Sequence, residues 1–248
     1  MTWDGENLWY SNKEDDIIYQ VDIENQFSIL HSIPAPGSNS AGLAWDGEYI
    51  WNVDYLSDMI YKLNPSDGAI IHSISSPNYA LGLTWDGEYL WCSAPIDQMI
   101  YKLDPNTGEI LLEISSPIGT PVAINWKSGY LWYFSSSEIL YKFHPTNGEL
   151  FEYIIPPPNS YPFPYLPTLY GLTWDDEYFW VIGNQAIFKF NIIEWLYLDI
   201  NSGTILPDSF QLIEIIINTT DLAGGDYSND ILIESNDPDE GLLIFPVN

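Results

Sequence analysis

The sequence predicts an all-β chain built from a four-stranded unit that recurs about every 40 residues. Four observations carry that reading. The stretch Gly82-Leu83-Thr84-Trp85-Asp86-Gly87-Glu88-Tyr89-Leu90-Trp91 has close copies from Gly42 to Trp51 and from Gly171 to Trp180, and looser ones from Thr2 to Trp9 and from Ile124 to Trp132. The Trp pairs Trp3/Trp9, Trp45/Trp51, Trp85/Trp91, Trp126/Trp132 and Trp174/Trp180 account for ten of the eleven Trp. A second marker, Ile60-Tyr61-Lys62-Leu63-Asn64, returns at Ile18, Ile100, Leu140 and Ile187, so successive copies lie 42, 40, 40 and 47 residues apart. Finally, each unit breaks into short β-type runs bounded by Asp-Gly and Pro-containing turns. A sheet of four such strands cannot bury both faces alone, so neighbouring units must stack, as the blades of a β-propeller do.

The third unit shows the elements in order. Strand one is expected over Leu81 to Trp85, then Asp86-Gly87 as a two-residue type I′ hairpin turn with positive φ at both positions. Strand two follows over Tyr89 to Ser93 and strand three over Met99 to Leu103. Asp104-Pro105-Asn106-Thr107-Gly108 turns the chain, with Pro setting φ and Gly or Asn taking the left-handed position. Strand four runs from Glu109 to Ile114, and Ser116-Pro117 leads to the next unit. Asn64 to Gly68 and His144 to Gly148 are the matching turns. Blades are expected at about 1–36, 41–77, 81–117, 122–156 and 170–194.

Both Trp of each pair are expected in the wedge between blades, each burying about 200 Å². Four of the six Lys (Lys62, Lys102, Lys142 and Lys189) share one repeat position. Each is expected across strand three from the second Trp, its stem covering the ring. The fifth unit lacks the Pro-x-x-Gly turn and fourth strand after Asn191. It is therefore either an incomplete fifth blade or part of a larger ring.

On the Trp-x-x-Asp and Ile-x-x-Ile-Asp-Pro-x-Thr-Gly pattern, residues 1–194 resemble bacterial propeller repeats of the NHL, streptogramin-lyase-like and quinoprotein-like kind. The resemblance implies the fold. Such propellers include enzymes, lectins and scaffolds, so it leaves function open.

Composition changes from Trp195 onward. No Lys follows Lys189, and eleven acidic residues fall between Glu194 and Glu240. Strands are expected over Trp195 to Ile200, Phe210 to Asn218, through Ile231 and Ile233, and over Leu242 to Val247. Trp195-Leu196, Ser202-Gly203-Thr204, Pro207, Leu222, Gly225, Tyr227, Ile233, Ser235-Asn236-Asp237-Pro238 and Pro246-Val247 resemble an immunoglobulin-like module of the abnormal-spindle/Hydin type. Asp208 departs from it, standing where the family has Gly. The resemblance implies a small β-sandwich over 195–248, docked on the propeller and serving as a spacer or adhesion unit. It also implies a bacterial protein in an extracellular or cell-surface setting. No signal peptide precedes the first repeat, and both ends look clipped.

The 248 residues carry 35 Asp and Glu against six Lys and no Arg, a formal net charge of −29. That balance argues against nucleic acid and against anionic membranes. No stretch approaches the roughly 20 apolar residues of a membrane-spanning helix. The single cysteine, Cys92, allows neither an intramolecular disulfide nor a zinc cluster and is read as a buried strand thiol.

His31, His72 and His144 all occupy repeat positions, so they are read as framework rather than as acid–base groups. The Asp-Gly-Glu triplets and Asp-Pro-Asn-Thr-Gly turns lack calcium-loop spacing. No cofactor and no metal are expected. The repeats diverge on the opposite face, where strand two–three turns and inter-blade connections meet. Asp54, Tyr55, Asp58 and Asp97 lie there. So does the Pro-rich segment from Ile155 to Tyr170, whose Tyr161, Phe163 and Tyr165 suit stacking on a sugar or gripping a peptide. Alternatively, those aromatics cover the end of an incomplete ring or meet the C-terminal module. The reading is a non-enzymatic secreted or cell-surface binding or scaffold protein with a protein or glycan ligand. The alternative is a propeller lyase, lactonase or hydrolase using carboxylates of the variable face. Oligomeric state has no signal in the sequence.

Overall fold

The computed structural model describes residues 1–25, 27–116, 119–135, 139–154, 169–183, 187–190, 196–198, 215–217, 229–234 and 242–247. They form an all-β structure of two compact units, Met1–Asn191 and Ile192–Asn248.

In the first unit, blade 1 comprises β1 (Thr2–Trp3), β2 (Leu8–Asn12), β3 (Ile17–Asp22) and β4 (Ser28–Pro34). Blade 2 comprises β5 (Ser40–Trp45), β6 (Ile50–Asp54), β7 (Met59–Leu63) and β8 (Ile70–Ser75). Blade 3 is β9 (Gly82–Trp85), β10 (Leu90–Ala94), β11 (Met99–Leu103) and β12 (Ile110–Ser115). Blade 4 is β13 (Pro121–Lys127), β14 (Tyr130–Ser135), β15 (Leu140–Phe143) and β16 (Leu150–Ile154). Each is an antiparallel meander in sequence order. A fifth, three-stranded sheet follows with β17 (Leu169–Trp174), β18 (Phe179–Gly183) and β19 (Ile187–Phe190).

The inner strands β1, β5, β9, β13 and β17 lie side by side in that order, and β17 returns beside β1. At the junction Phe27 meets Trp180 edge-on at 5.9 Å, and Met1, Leu8, Val21 and Trp180 form one apolar cluster. The four blades and the three-stranded sheet therefore complete a ring. The inner strands approach too closely for side chains in places. A Cβ on Gly42 would run into the Leu81 carbonyl and lie 2.6 Å from the Leu83 nitrogen, while the Gly42 N–H donates to that carbonyl at 2.7 Å. Glycine suits such a backbone approach.

The cores lie between blades. Trp51 and Val53 of blade 2 pack with Leu83, Cys92 and Ala94 of blade 3, and Trp91 packs with Ile124, Tyr133 and Phe143 of blade 4. The second Trp of every pair is buried. The first is only half-buried, though Trp3, Trp45, Trp85 and Trp126 still pack against the inter-blade clusters. Lys62 and Lys102 do lie opposite Trp51 and Trp91, with Nζ 5.2 Å from each ring centre.

The Asp-Gly hairpin also needs correction. Trp45 pairs with Ile50 and Trp85 with Leu90, so four residues form the loop rather than two. Positive φ falls on Gly47 and Gly87 alone (99° and 102°), and the preceding Asp caps the loop instead. Asp86 accepts the N–H groups of Glu88 (2.9 Å) and Tyr89 (2.7 Å), an Asx-type arrangement. Blade 4 has Lys127 in place of Asp, and there Ser128 and Gly129 both take positive φ (52° and 85°) between paired Lys127 and Tyr130. That is the expected I′ turn, found only where the Asp is missing.

In the second unit, β20 (Leu196–Leu198) pairs with β21 (Ile215–Ile217), and β22 (Asn229–Glu234) pairs with β23 (Leu242–Val247), both antiparallel. Most residues carrying the immunoglobulin-like resemblance lie outside the described residues.

Candidate binding face

A repeated frame brings the strand two–three turns and the inter-blade connections together on one face. The turns end on Asp16, Asp58 and Gln98, each in the left-handed region (φ 56°, 52° and 53°). Asp accepts that conformation because its short polar side chain can bond locally. The carbonyls of these three residues accept the N–H groups of Ala35 (2.8 Å), Ser76 (2.9 Å) and Ser116 (2.8 Å), the first residues of each connection.

Blade 2 builds most on this frame. The Tyr79 N–H donates to Asp58 Oδ1 at 3.2 Å, which fixes the connection over the turn. Tyr79 itself has φ 52°, and its ring lies 6.2 Å from that of Tyr55. Leu56, at the tip of the same turn, is 53% exposed, and Ile96, at the equivalent tip of blade 3, is 62% exposed. Asp97 follows Ile96 and is exposed. Burial first, then the charges of Asp97 and Glu113, push the Tyr101 phenol above its ordinary value. In blade 1 the Tyr19 hydroxyl donates to Asp15 at 2.8 Å, and its ring stacks on Tyr10.

The sequence-expected site residues are thus placed unequally. Tyr55 and Asp58 come together, joined by Tyr79. Asp97 sits one blade along. Asp54 is only 3% exposed, and its carboxylate accepts the N–H groups of Asn39 (3.1 Å), Leu56 (3.2 Å) and Ser57 (3.1 Å). It holds the turn from below rather than facing a ligand. Tyr161, Phe163 and Tyr165 lie outside the described residues. Tyr79, Leu56 and Ile96 escaped the sequence reading. The signal for the two loop tips was an apolar residue in an otherwise polar turn.

The three His each contact a neighbouring element. His31 and His72 reach the carbonyls of Ser66 (3.1 Å) and Asn106 (3.0 Å) in the turn of the following blade, tying neighbours together. His144 packs edge-on to Tyr130 at 5.1 Å. Cys92 is buried, and burial pushes its thiol well above the ordinary range, so it is no nucleophile. Among the described residues no three His, Cys, Asp or Glu side chains are grouped to hold a metal ion. The face therefore offers aromatic and apolar contact beside isolated carboxylates.

No protein-family model and no curated protein matches the chain. Among solved structures, a glutaminyl cyclase from Myxococcus xanthus is similar, with a TM-score of 0.63 over 86% of this chain and 87% of that one, at 10% identity. A virginiamycin B lyase from Staphylococcus aureus gives a TM-score of 0.47 at 19% identity over 75% of this chain and 63% of that one. A streptogramin B lyase gives 0.47 at 21% identity over 86% and 66%. The cyclase match shows the propeller architecture; at that identity it shows the fold alone.

Proposed function

We propose that the ring is a non-enzymatic recognition module, and that its variable face binds a protein or glycan ligand. The observation that carries this reading is the Tyr55–Tyr79 pair, pinned by Asp58 and standing beside the exposed Leu56 and Ile96. Tyr rings give large contact area with little loss of side-chain freedom, and neighbouring carboxylates supply orientation-dependent hydrogen bonds. Tyr161, Phe163 and Tyr165 join the proposal on their sequence alone. So do the immunoglobulin-like character of 195–248 and a setting outside the cell.

A glycan array and a peptide-display panel probed with the full chain test the reading. Binding lost in Tyr55→Ala and Tyr79→Ala, with unchanged urea midpoints, supports it. Binding retained in both variants removes the face from consideration.

One observation favours a second reading, that of a propeller enzyme: the solved structure with the 0.63 TM-score is named a glutaminyl cyclase. Asp58 and Asp97 are the carboxylates such chemistry would draw on here. Ammonia release from a peptide with an N-terminal Gln, lost in Asp58→Asn or Asp97→Asn, would support this reading, and no turnover would sink it.

A further inference from the structure

The interface between blades 1 and 2 contains a buried polar cluster that its neighbour lacks. Ile50 and Leu43 of blade 2 pack against Trp9, Ile18 and Ile33 of blade 1, so this face of the blade 2 sheet looks toward blade 1. Alternate residues of a strand share a face, which places Asn52 and Asp54 beside Ile50 on that side. Ser40 pairs directly with Asp54 across the sheet and so shares it too. At the equivalent positions of blade 3 stand Ala80, Cys92 and Ala94, all buried in the apolar core facing blade 2. Blade 2 therefore replaces three small apolar groups with a hydroxyl, an amide and a carboxylate.

These groups are sealed from solvent: Ser40 is 4% exposed and Asn52 0%. Ser40 Oγ and Asn52 Oδ1 have no hydrogen-bond partner among the described residues. Asn52 Nδ2 is satisfied, donating to the Gly42 carbonyl at 3.2 Å, so its oxygen is the end left over. Asp54 has three backbone donors but no cation paired with it among the described residues. Gly37 of the connection lies against its Oδ2. Two orphaned buried oxygens beside a buried carboxylate with no cation are costly, and a bound cation would satisfy all three.

We propose that this cluster binds a hard cation of the sodium or calcium class, held by Asp54, Asn52 Oδ1 and Ser40 Oγ. Oxygen-only donors suit such ions, which tolerate irregular coordination. All three donors belong to blade 2, so the ion stabilises the fold by satisfying their buried oxygens. The proposal stands apart from the ligand reading above, since none of the three groups faces the variable surface.

The test uses the full chain, freed of cations by chelation and unfolded thermally in CaCl2, in NaCl, or in tetramethylammonium chloride of equal ionic strength. The last ion is too large to enter. The double variant Ser40→Ala/Asn52→Val carries side chains that blade 3 and the three-stranded sheet already bury at these positions (Ala80 and Val181). With CaCl2 or NaCl at about 100 times Kd, the wild-type midpoint is expected to rise by roughly 5 °C over the tetramethylammonium control. The double variant should lose that rise, and titration calorimetry should lose one site. Ser40→Ala alone gives a partial loss and serves if the double variant fails to fold. No rise in the wild type, or an equal rise in the variants, overturns the proposal and leaves a buried water as the occupant.

Discussion

Trp91 donates its indole N–H to Asp86 at 2.8 Å, and Lys102 completes the group from the next strand with its Nζ 3.3 Å from the same carboxylate oxygen. The arrangement repeats in blade 2 as Trp51, Asp46 and Lys62, at 2.8 Å and 2.9 Å. In blade 1 Gln20 stands in for the Lys, donating to Asp4 at 2.8 Å alongside Trp9 at 2.7 Å. One carboxylate thus caps a hairpin, satisfies a buried Trp and anchors a cation over aromatic rings.

Removing that carboxylate should be expensive. Asp86→Ala orphans the Trp91 N–H, two loop N–H groups and Lys102, and is expected to cost about 3 kcal/mol. Asp86→Asn keeps an oxygen for the loop and the indole but loses the ion pair, and about half that cost is expected. Urea unfolding followed by Trp fluorescence measures both. Equal costs for Ala and Asn would mean that charge, not hydrogen bonding, carries the group.

The same site has a pH signature. Burial pushes the carboxyls of Asp46 and Asp86 up, yet their donors outweigh it: Lys62, Trp51 and the loop N–H groups for Asp46, and Trp91, the loop N–H groups and Lys102 for Asp86. Both end below the ordinary 3.8. A depressed carboxyl contributes stability that is complete above its unfolded value and disappears as pH falls through the lower folded one. The stability difference between wild type and Asp86→Asn should therefore hold from neutral pH down to about 5 and shrink below about 4. Urea midpoints across that range check it, and a difference that grew on acidification would reverse the sign.

Much of this was legible in the sequence, for physical reasons. Trp pairs six apart and a Lys at fixed spacing report strand pairing, which is local, so the blades and the Lys–Trp contact could be read directly. The Asp-Gly dipeptide was readable as a turn, but two local signals compete there. A type I′ hairpin would place positive φ at both residues, whereas Asp46 uses its carboxylate as a cap and leaves that geometry to Gly47. Ring closure between β17 and β1 joins the two ends of the repeat array, and no local pattern encodes it. At the candidate face, Tyr55 and Asp58 were visible as breaks in the repeat. Their partner Tyr79 lies in an inter-blade connection, where only the tertiary fold brings it back. Asp54 was visible as a candidate on that face, but its burial comes from the connection, where Gly37 lies against it.

Asp176 offers a gain. It stands where Gly5, Gly47 and Gly87 have φ near 100°, and it holds φ 78°. A Cβ at those glycines meets nothing within 4 Å, so the penalty is one of backbone rather than crowding. Left-handed backbone costs a non-Gly residue roughly 1 kcal/mol. Asp176→Gly should raise stability by about that amount despite the freer unfolded chain, and Asp176→Ala should lower it. Chemical unfolding ranks the three, and Ala matching Gly would show that the turn relaxes around either residue.

Blade 4 is the exception that tests the Trp–Asp group as a unit. With Lys127 in the Asp position, the buried Trp132 indole N–H has no hydrogen-bond partner among the described residues. Lys127 Nζ lies 3.5 Å from the centre of the Trp174 ring instead, a cation–π contact worth about 1 kcal/mol. Lys127→Asp alone should destabilise, because the turn holds positive φ at Gly129 as well as at Ser128, which is not the loop that Asp caps in blades 2 and 3. The combination Lys127→Asp, Ser128→Gly and Gly129→Glu rebuilds the loop of blades 2 and 3. It returns an acceptor to Trp132 worth about 1.5 to 3 kcal/mol against the lost cation–π contact, so a net gain near 1 kcal/mol is expected. Urea unfolding of the single and triple variants decides the matter. A triple variant no more stable than the single one would show that the loop does not set the position of the indole acceptor.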